Sequence, residues 1–266
     1  MLIFLDLDGT LIGPNGMTPA VGAAIDAARR AGFLLSVCTG RPRGGVAQSI
    51  ARRLGEGPHI FENGAMVAPA DGAPQAVERL TKADALRLAR HSKTAQAVLE
   101  FYTPEGVFVS RNNADCQEHA QVLEIVAHEA DLEAIATTHD VMRAHWIMRP
   151  ENSAEALLLE LDDVEVGLAS SPVLLGYLFA SVTRVGVSKG TAAARVAEFH
   201  GRSLVDCWAV GDAEGDRPVL DVVGHPRVMG NSPSSLLADF MSIGDVEDDA
   251  VAELLNSLVA HAEPAR

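Results

Sequence analysis

The chain opens on an apolar run, Leu2-Ile3-Phe4-Leu5, closed at once by Asp6-Leu7-Asp8-Gly9-Thr10. A short apolar run ended by a turn signal predicts a buried strand. Thr18-Pro19 supplies an N-cap with proline at the first helical position, for a helix that runs to Arg30 and stops at Gly32. Phe33-Leu34-Leu35-Ser36-Val37-Cys38 is a second buried run, ending at Thr39-Gly40-Arg41. A helix from about Gly45 to Leu54 follows. A third strand, His59-Ile60-Phe61, ends at Glu62-Asn63-Gly64. Strands separated by helices predict a parallel sheet with right-handed crossovers. Asp71-Gly72 then marks a hairpin turn within 66–77.

From about Lys82 to Val182 the pattern changes. Helical stretches near 83–97 and 117–130 mix with strand-like runs such as Val107-Phe108-Val109 and Trp146-Ile147-Met148. The first pattern then returns. Ser188-Lys189-Gly190 opens a helix that closes at His200-Gly201. Val205-Asp206-Cys207-Trp208-Ala209-Val210 reads as a buried strand ending at Gly211-Asp212, and Val228-Met229-Gly230-Asn231 as a short strand and turn. Val251, Leu254, Leu255, Leu258 and Val259 have amphipathic-helix spacing, behind an acidic start from Asp245 to Asp249 that suits the helix dipole. The predicted fold class is α/β: a Rossmann-like parallel-sheet core from residues 1–81 and 183–266, with an inserted α+β domain at 82–182.

A length of 266 residues with 48% hydrophobic content supports a genuine core. The net charge of −15 argues against nucleic-acid and anionic-membrane partners, which call for a basic face. No segment approaches a membrane span, and the first apolar run lacks the length and basic leader of a secretory signal. Cys38, Cys116 and Cys207 are odd in number and form no CxxC pair, so they read as buried thiols in a reducing cytoplasm. The expectation is a cytoplasmic protein, monomeric or homodimeric, acting on a small molecule.

The chemistry gathers at predicted strand exits and helix starts. Asp6 and Asp8, Thr39, Lys189, and Asp212 with Asp216 all fall at such points, which a parallel sheet brings to one edge. Carboxylates crowded there need a cation, and oxygen ligands that leave room for phosphate favour Mg²⁺. Carboxylates, Mg²⁺, a lysine and a threonine together compose a phosphoryl-transfer site.

These residues carry a resemblance. Asp6-Leu7-Asp8-Gly9-Thr10, Thr39-Gly40-Arg41, Lys189 in Ser188-Lys189-Gly190, and Gly211-Asp212 with Asp216 resemble, in order, the four motifs of the haloacid dehalogenase superfamily. The branch resembled is the Cof-type one (subfamily IIB), with a large C2-type α/β cap between the second and third motifs. Glu62-Asn63-Gly64-Ala65 and Met229-Gly230-Asn231 are similar to turns of that branch. The resemblance implies a phosphatase acting on small phosphomonoesters such as sugar phosphates. Asp6 would be the nucleophile, forming an aspartyl-phosphate, and Asp8 the general acid and base. Asp8 in place of the threonine of the family's ATPases favours a phosphatase or phosphomutase. Asp6, Asp8 through its carbonyl, Asp212 and Asp216 would serve Mg²⁺. Thr39 and Gly40 would bind phosphate oxygens, and Lys189 would neutralise transition-state charge. Arg41 and Asn63 are candidate substrate contacts, as are Arg111, Arg143, His145 and Arg149 in the insertion, with Trp146 as its core. The family's fourth motif often has Gly after its first Asp and Asn before its second; Ala213 and Gly215 stand there, which implies altered support for the metal. A phosphomutase of the phosphomannomutase type is the alternative enzyme, and a non-catalytic phospho-ligand-binding protein the alternative of another class.

Overall fold

The computed structural model describes residues 1–159, 161–169 and 174–261. The chain divides into two compact units: Met1–Arg43, Ala47–Ala76 and Ser188–Arg266 form the first, and Gly44–Val46 with Val77–Val187 the second.

The first unit is built on a four-stranded, wholly parallel sheet in the order His225–Val228, Trp208–Gly211, Leu2–Leu5, Leu34–Val37. Every residue of Leu2–Leu5 is buried, because this strand is central and helices cover parallel sheets on both faces. Its neighbours end level with it: Leu5 pairs with Val37 on one side and Val210 on the other. Asp6 N–H donates to the Val210 carbonyl (3.0 Å) and Cys38 N–H to the Leu5 carbonyl (2.9 Å), so three polar loops leave one sheet edge together. The helix Pro19–Arg30 is capped by the Thr18 hydroxyl, which accepts from Val21 N–H at 3.2 Å. Ser188 and Thr191 form a capping box at the start of Lys189–Phe199. Cys38, Cys116 and Cys207 are free thiols, all buried.

Three sequence expectations in this unit need correction. His59–Phe61 touches the parallel sheet through one bridge, Cys38 to Ile60, and heads a separate sheet with Met66–Ala68 and Ala76–Val77. Glu62 and Asn63 both take left-handed backbone (φ 55° and 56°), which folds the chain back antiparallel so that Phe61 pairs with Met66. Val205 and Asp206 lie in the 3-10 turn Leu204–Asp206, and the strand begins only at Trp208. The last strand is His225–Val228, with Val228 its end rather than its beginning. Asp71-Gly72 does lie in the connection between Met66–Ala68 and Ala76–Val77.

The second unit carries a six-stranded sheet: Val164–Ala169, Leu178–Arg184, Arg143–Met148, Val98–Thr103, Gly106–Val109, Ala127–Glu129. All neighbours are antiparallel except the last pair. Strand alternation sorts its faces. Leu99, Phe101, Trp146 and Met148 pack with Leu88 and Ile135 of the helices Lys82–Ser92 and Leu132–Thr138. Val98, Tyr102, Ile147 and Phe179 face the other way, with Cys116 of the helix Ala114–Leu123. The helix predicted over 117–130 ends at Leu123. Glu124 turns left-handed (φ 54°) and Ile125 N–H reaches back to the Ala120 carbonyl (3.0 Å), a Schellman closure that frees Ala127–Glu129 to pair as a strand. The first predicted helix stops at Ser92 rather than 97. Among the described residues no helix is long and apolar enough to cross a membrane.

Candidate active site

At the parallel-sheet edge, Asp6 follows Leu2–Leu5, Thr39 follows Leu34–Val37, and Asp212 follows Trp208–Gly211. Lys189 begins the helix Lys189–Phe199, and Asp216 closes the turn Glu214–Asp216. Asp6, Thr39, Lys189 and Asp216 are buried. The Lys189 ammonium donates to Asp6 Oδ1 at 2.8 Å and to Asp216 Oδ1 at 2.6 Å. Asp216 Oδ2 accepts the backbone N–H groups of Asp212 and Ala213, each at 3.0 Å. The Thr10 hydroxyl donates to Asp212 Oδ1 at 3.2 Å.

Two glycines let this cluster close. Gly9 has φ 74°, and a Cβ there would stand 2.2 Å from Asp212 Oδ2. A Cβ on Gly211 would stand 2.4 Å from the Asp216 carboxyl carbon. Any side chain at either position would displace an aspartate. Asn231 Nδ2 donates to the Gly9 carbonyl (3.0 Å) and lies 3.5 Å from Asp212 Oδ2. An amide thus reaches Asp212 from another loop. The sequence reading marked Asn231 only as a turn residue, and Thr10 only as part of a motif.

The electrostatics are those of a site short of positive charge. Burial and then the Asp216 carboxylate raise the Asp6 carboxyl well above its ordinary range. Burial and then Asp216 push Asp212 up to about 7. Burial alone would lower the Lys189 ammonium, but Asp216 and Asp6 hold it well above its usual value, so it stays charged. One ammonium among three carboxylates leaves negative charge that a dication would neutralise. Asp6, Asp212 and Asp216 can each offer an oxygen, with these atoms within 4.8 Å of one another. An all-carboxylate set fits Mg²⁺.

Asp8 has a partner of its own. Its carboxylate is held by Arg41 in a two-pronged fork, Nε to Oδ2 at 2.7 Å and Nη2 to Oδ1 at 2.6 Å. It therefore faces a guanidinium rather than the other carboxylates, and is not among the three that could share an ion. Arg41, the candidate substrate contact, is paired with Asp8. Thr39 Oγ1 accepts from Arg41 N–H at 3.1 Å. Asn63 lies against Gly40, where a Cβ would meet its Oδ1 at 2.7 Å.

The candidate contacts of the insertion have these neighbours within the second unit. Arg143 is buried, its guanidinium 4.2 Å from the Tyr102 ring centroid. His145 is buried between His119 and Phe179, ring centroids 5.3 and 5.4 Å away, and burial followed by Arg143 lowers its pKa well below the usual value. Arg111 donates to the carbonyls of Ser92 (3.3 Å) and Ala95 (2.6 Å). Arg149 donates to Asp115 (2.8 Å) and the Tyr177 hydroxyl (2.6 Å). Arg111 thus meets carbonyls at and just beyond the C-terminal end of the helix Lys82–Ser92, and Arg149 a carboxylate, both of which attract a cation. Trp146 is core, as expected.

Comparisons with known proteins cover nearly the whole chain. A family model described as haloacid dehalogenase-like hydrolase matches residues 3–255. The chain is 27% identical over 254 residues to a protein of Streptococcus pyogenes serotype M6 named as a candidate phosphatase, covering 88% of this chain and 89% of that one. It is 26% identical over 268 residues to the HMP-PP phosphatase of Citrobacter koseri, covering 96% and 94%. Among solved structures, a subclass IIB sugar phosphatase, BT4131, superposes with a TM-score of 0.82 at 19% identity, covering 97% of this chain and 98% of that one. At that identity the likeness speaks for the fold alone.

Proposed function

This chain belongs to the haloacid dehalogenase-like hydrolase family, and from that premise we propose that it is a Mg²⁺-dependent phosphatase of small phosphomonoesters, working through an aspartyl-phosphate. The observation that carries the reading is the buried Lys189 ammonium bridging Asp6 and Asp216, with Asp212 alongside, at the level exits of parallel strands. A resting structural ion pair would need no third carboxylate crowded against it.

Asp6, Asp212 and Asp216, with the Asp8 carbonyl, would hold the ion, which when bound supplies charge neutralisation at the transferring phosphoryl group. Lys189 fixes Asp6 through Oδ1, so Oδ2 is the oxygen that attacks phosphorus. The P–O bond to the alcohol breaks as the Asp6–phosphorus bond forms. Asp8 gives its proton to the leaving alkoxide and then takes one from the water that cleaves the acyl phosphate. Both steps require Asp8 to leave its fork with Arg41. Thr39 and the Gly40 N–H bind phosphate oxygens, while Lys189 offsets their developing charge. Selection among phosphomonoesters falls to the inserted unit.

Phosphate release from a panel of sugar phosphates, other phosphomonoesters and HMP-PP tests this, with Mg²⁺ and with EDTA, beside Asp6→Asn. Mg²⁺-dependent release lost in the variant is expected. Ordinary turnover by a folded Asp6→Asn protein would sink the mechanism. Turnover that demands a bisphosphate activator and releases no phosphate would turn the reading to a phosphomutase.

A further inference from the structure

The second unit holds a polar cluster that the phosphatase chemistry does not use. Glu100 on the strand Val98–Thr103 and His145 on Arg143–Met148 are direct register partners, so their side chains share one face of the sheet. His119 comes to them from the helix Ala114–Leu123. All three are at least nine-tenths buried, at 0%, 8% and 7% exposure in the order Glu100, His145, His119. Each can offer one ligating atom, and these atoms lie within 4.8 Å of one another.

We propose that Glu100, His119 and His145 form a transition-metal site, suited by its donor set to Zn²⁺. Three buried polar atoms of this cluster have no hydrogen-bond partner: Glu100 Oε1, His119 Nδ1 and His145 Nδ1. Each such atom is destabilising when left dry and unpaired. Ordinary buried histidines do not carry that cost. A satisfied network would pair these groups with one another, yet His119 Nδ1 lies 3.0 Å from Glu100 Oε2 without the alignment of a hydrogen bond. Two ligand atoms at that separation, with no hydrogen bond between them, resemble one edge of a coordination polyhedron. Glu100 Oε2 is also oriented by the Tyr102 hydroxyl, which donates to it at 2.7 Å, as outer partners orient metal-bound carboxylates.

The donor chemistry separates this cluster from the aspartates. Two imidazole nitrogens and one carboxylate oxygen suit Zn²⁺ and its transition-metal neighbours, whereas Mg²⁺ and Ca²⁺ take oxygen. The two imidazoles now lie nearly parallel, 15° apart. Binding would turn the rings so that one nitrogen of each converges with Glu100. Such an ion would tie the helix Ala114–Leu123 to the middle of the sheet.

The test uses the full chain, stripped with chelator and then passed through gel filtration with micromolar Zn²⁺ in millimolar Mg²⁺, so that Mg²⁺ occupies the aspartates. One Zn²⁺ retained per chain is expected, with X-ray absorption fine structure showing the outer-shell scattering of two imidazoles. Glu100→Gln and His119→Gln should each weaken retention by at least tenfold, and Asp212→Asn should leave it unchanged. No retained Zn²⁺, an all-oxygen shell, or loss of retention in Asp212→Asn but not in Glu100→Gln would overturn the proposal. The absorption spectrum of the wild-type chain decides the ligand set even where a variant fails to fold.

Discussion

Two triads of ligating side chains, one fully buried and one with its Asp212 half-buried, occupy the two units, and they are assembled in opposite ways. Asp6, Asp212 and Asp216 gather at the edge of a parallel sheet, where loops leave level strand ends. Glu100, His119 and His145 gather on the face of an antiparallel sheet, where only register and a crossing helix bring them together. The edge triad contains its own cation, Lys189, and most of its oxygens find protein donors. The face triad has dry, unpaired atoms. A site that reacts needs a lysine that stays in place while substrate and ion exchange. A site that merely holds an ion can leave its ligands unsatisfied until the ion arrives.

The largest expected effect lies at Asp6, the proposed nucleophile. Asp6→Asn should lower phosphate release by roughly 10⁴-fold or more while circular dichroism stays unchanged. A loss of less than tenfold would erase the functional contrast between the triads.

Lys189→Met comes next. It leaves Asp6 and Asp216 buried without their ammonium, which should destabilise the Mg²⁺-free protein by about 3–5 kcal/mol in denaturant unfolding. Added Mg²⁺ should recover part of this, since an ion that binds only the folded state stabilises it. Unchanged stability without Mg²⁺ would show that the cluster does not depend on its internal cation.

His59 sharpens the comparison as a buried histidine that needs no ion. Its Nδ1 accepts Val37 N–H (3.1 Å) and its Nε2 lies 3.2 Å from the Gly55 carbonyl, so the ring is satisfied as the neutral Nε2–H form. Burial pushes its pKa from 6.5 down to about 4. Above pH 6.5 neither folded nor unfolded chain holds the proton, and the stability is fully present. As pH falls towards 4 the unfolded chain takes up a proton that the folded ring refuses, so stability is lost over that window. The loss should approach about 3 kcal/mol by the lower limit. Unfolding at pH 7 and pH 4.5 should show a shallower acid limb in His59→Gln; an identical limb would remove His59 from the account.

The smallest effect belongs to the fork between Arg41 and Asp8. The Asp8 side chain is 56% exposed, so Arg41→Gln should change stability by under about 1 kcal/mol. A larger loss of thermal stability would mean that Arg41 holds more of the edge than this pair.

Much of the polar sheet edge was legible in the chain because its information is local. A short apolar strand followed by Asp6-Leu7-Asp8, a capped helix start at Lys189, and Gly211-Asp212 after another strand each announce their place within a few residues, and parallel pairing brings such exits to one edge. The errors arose where local signals competed. Apolar Val205 suggested a strand, yet it lies 64% exposed in a turn. The run after Leu123 kept helical spacing, yet Glu124 turned left-handed and ended the helix.

Side-chain partners were not legible at all. The sequence places Asp8 and Arg41 at two strand exits, but only the folded backbone points one at the other. It places Arg111, Arg149, Arg143 and His145 in the insertion, but only the packed sheet decides that they turn inward to carbonyls, carboxylates and rings. The sequence by itself therefore determined most of the elements, a parallel sheet and the residues at its polar edge, because strand periodicity, capping and turn chemistry act over a few neighbours. Tertiary structure alone decided which charge faces which, and that Glu100, His119 and His145 meet, because cross-strand register and helix packing join residues that share no local signal.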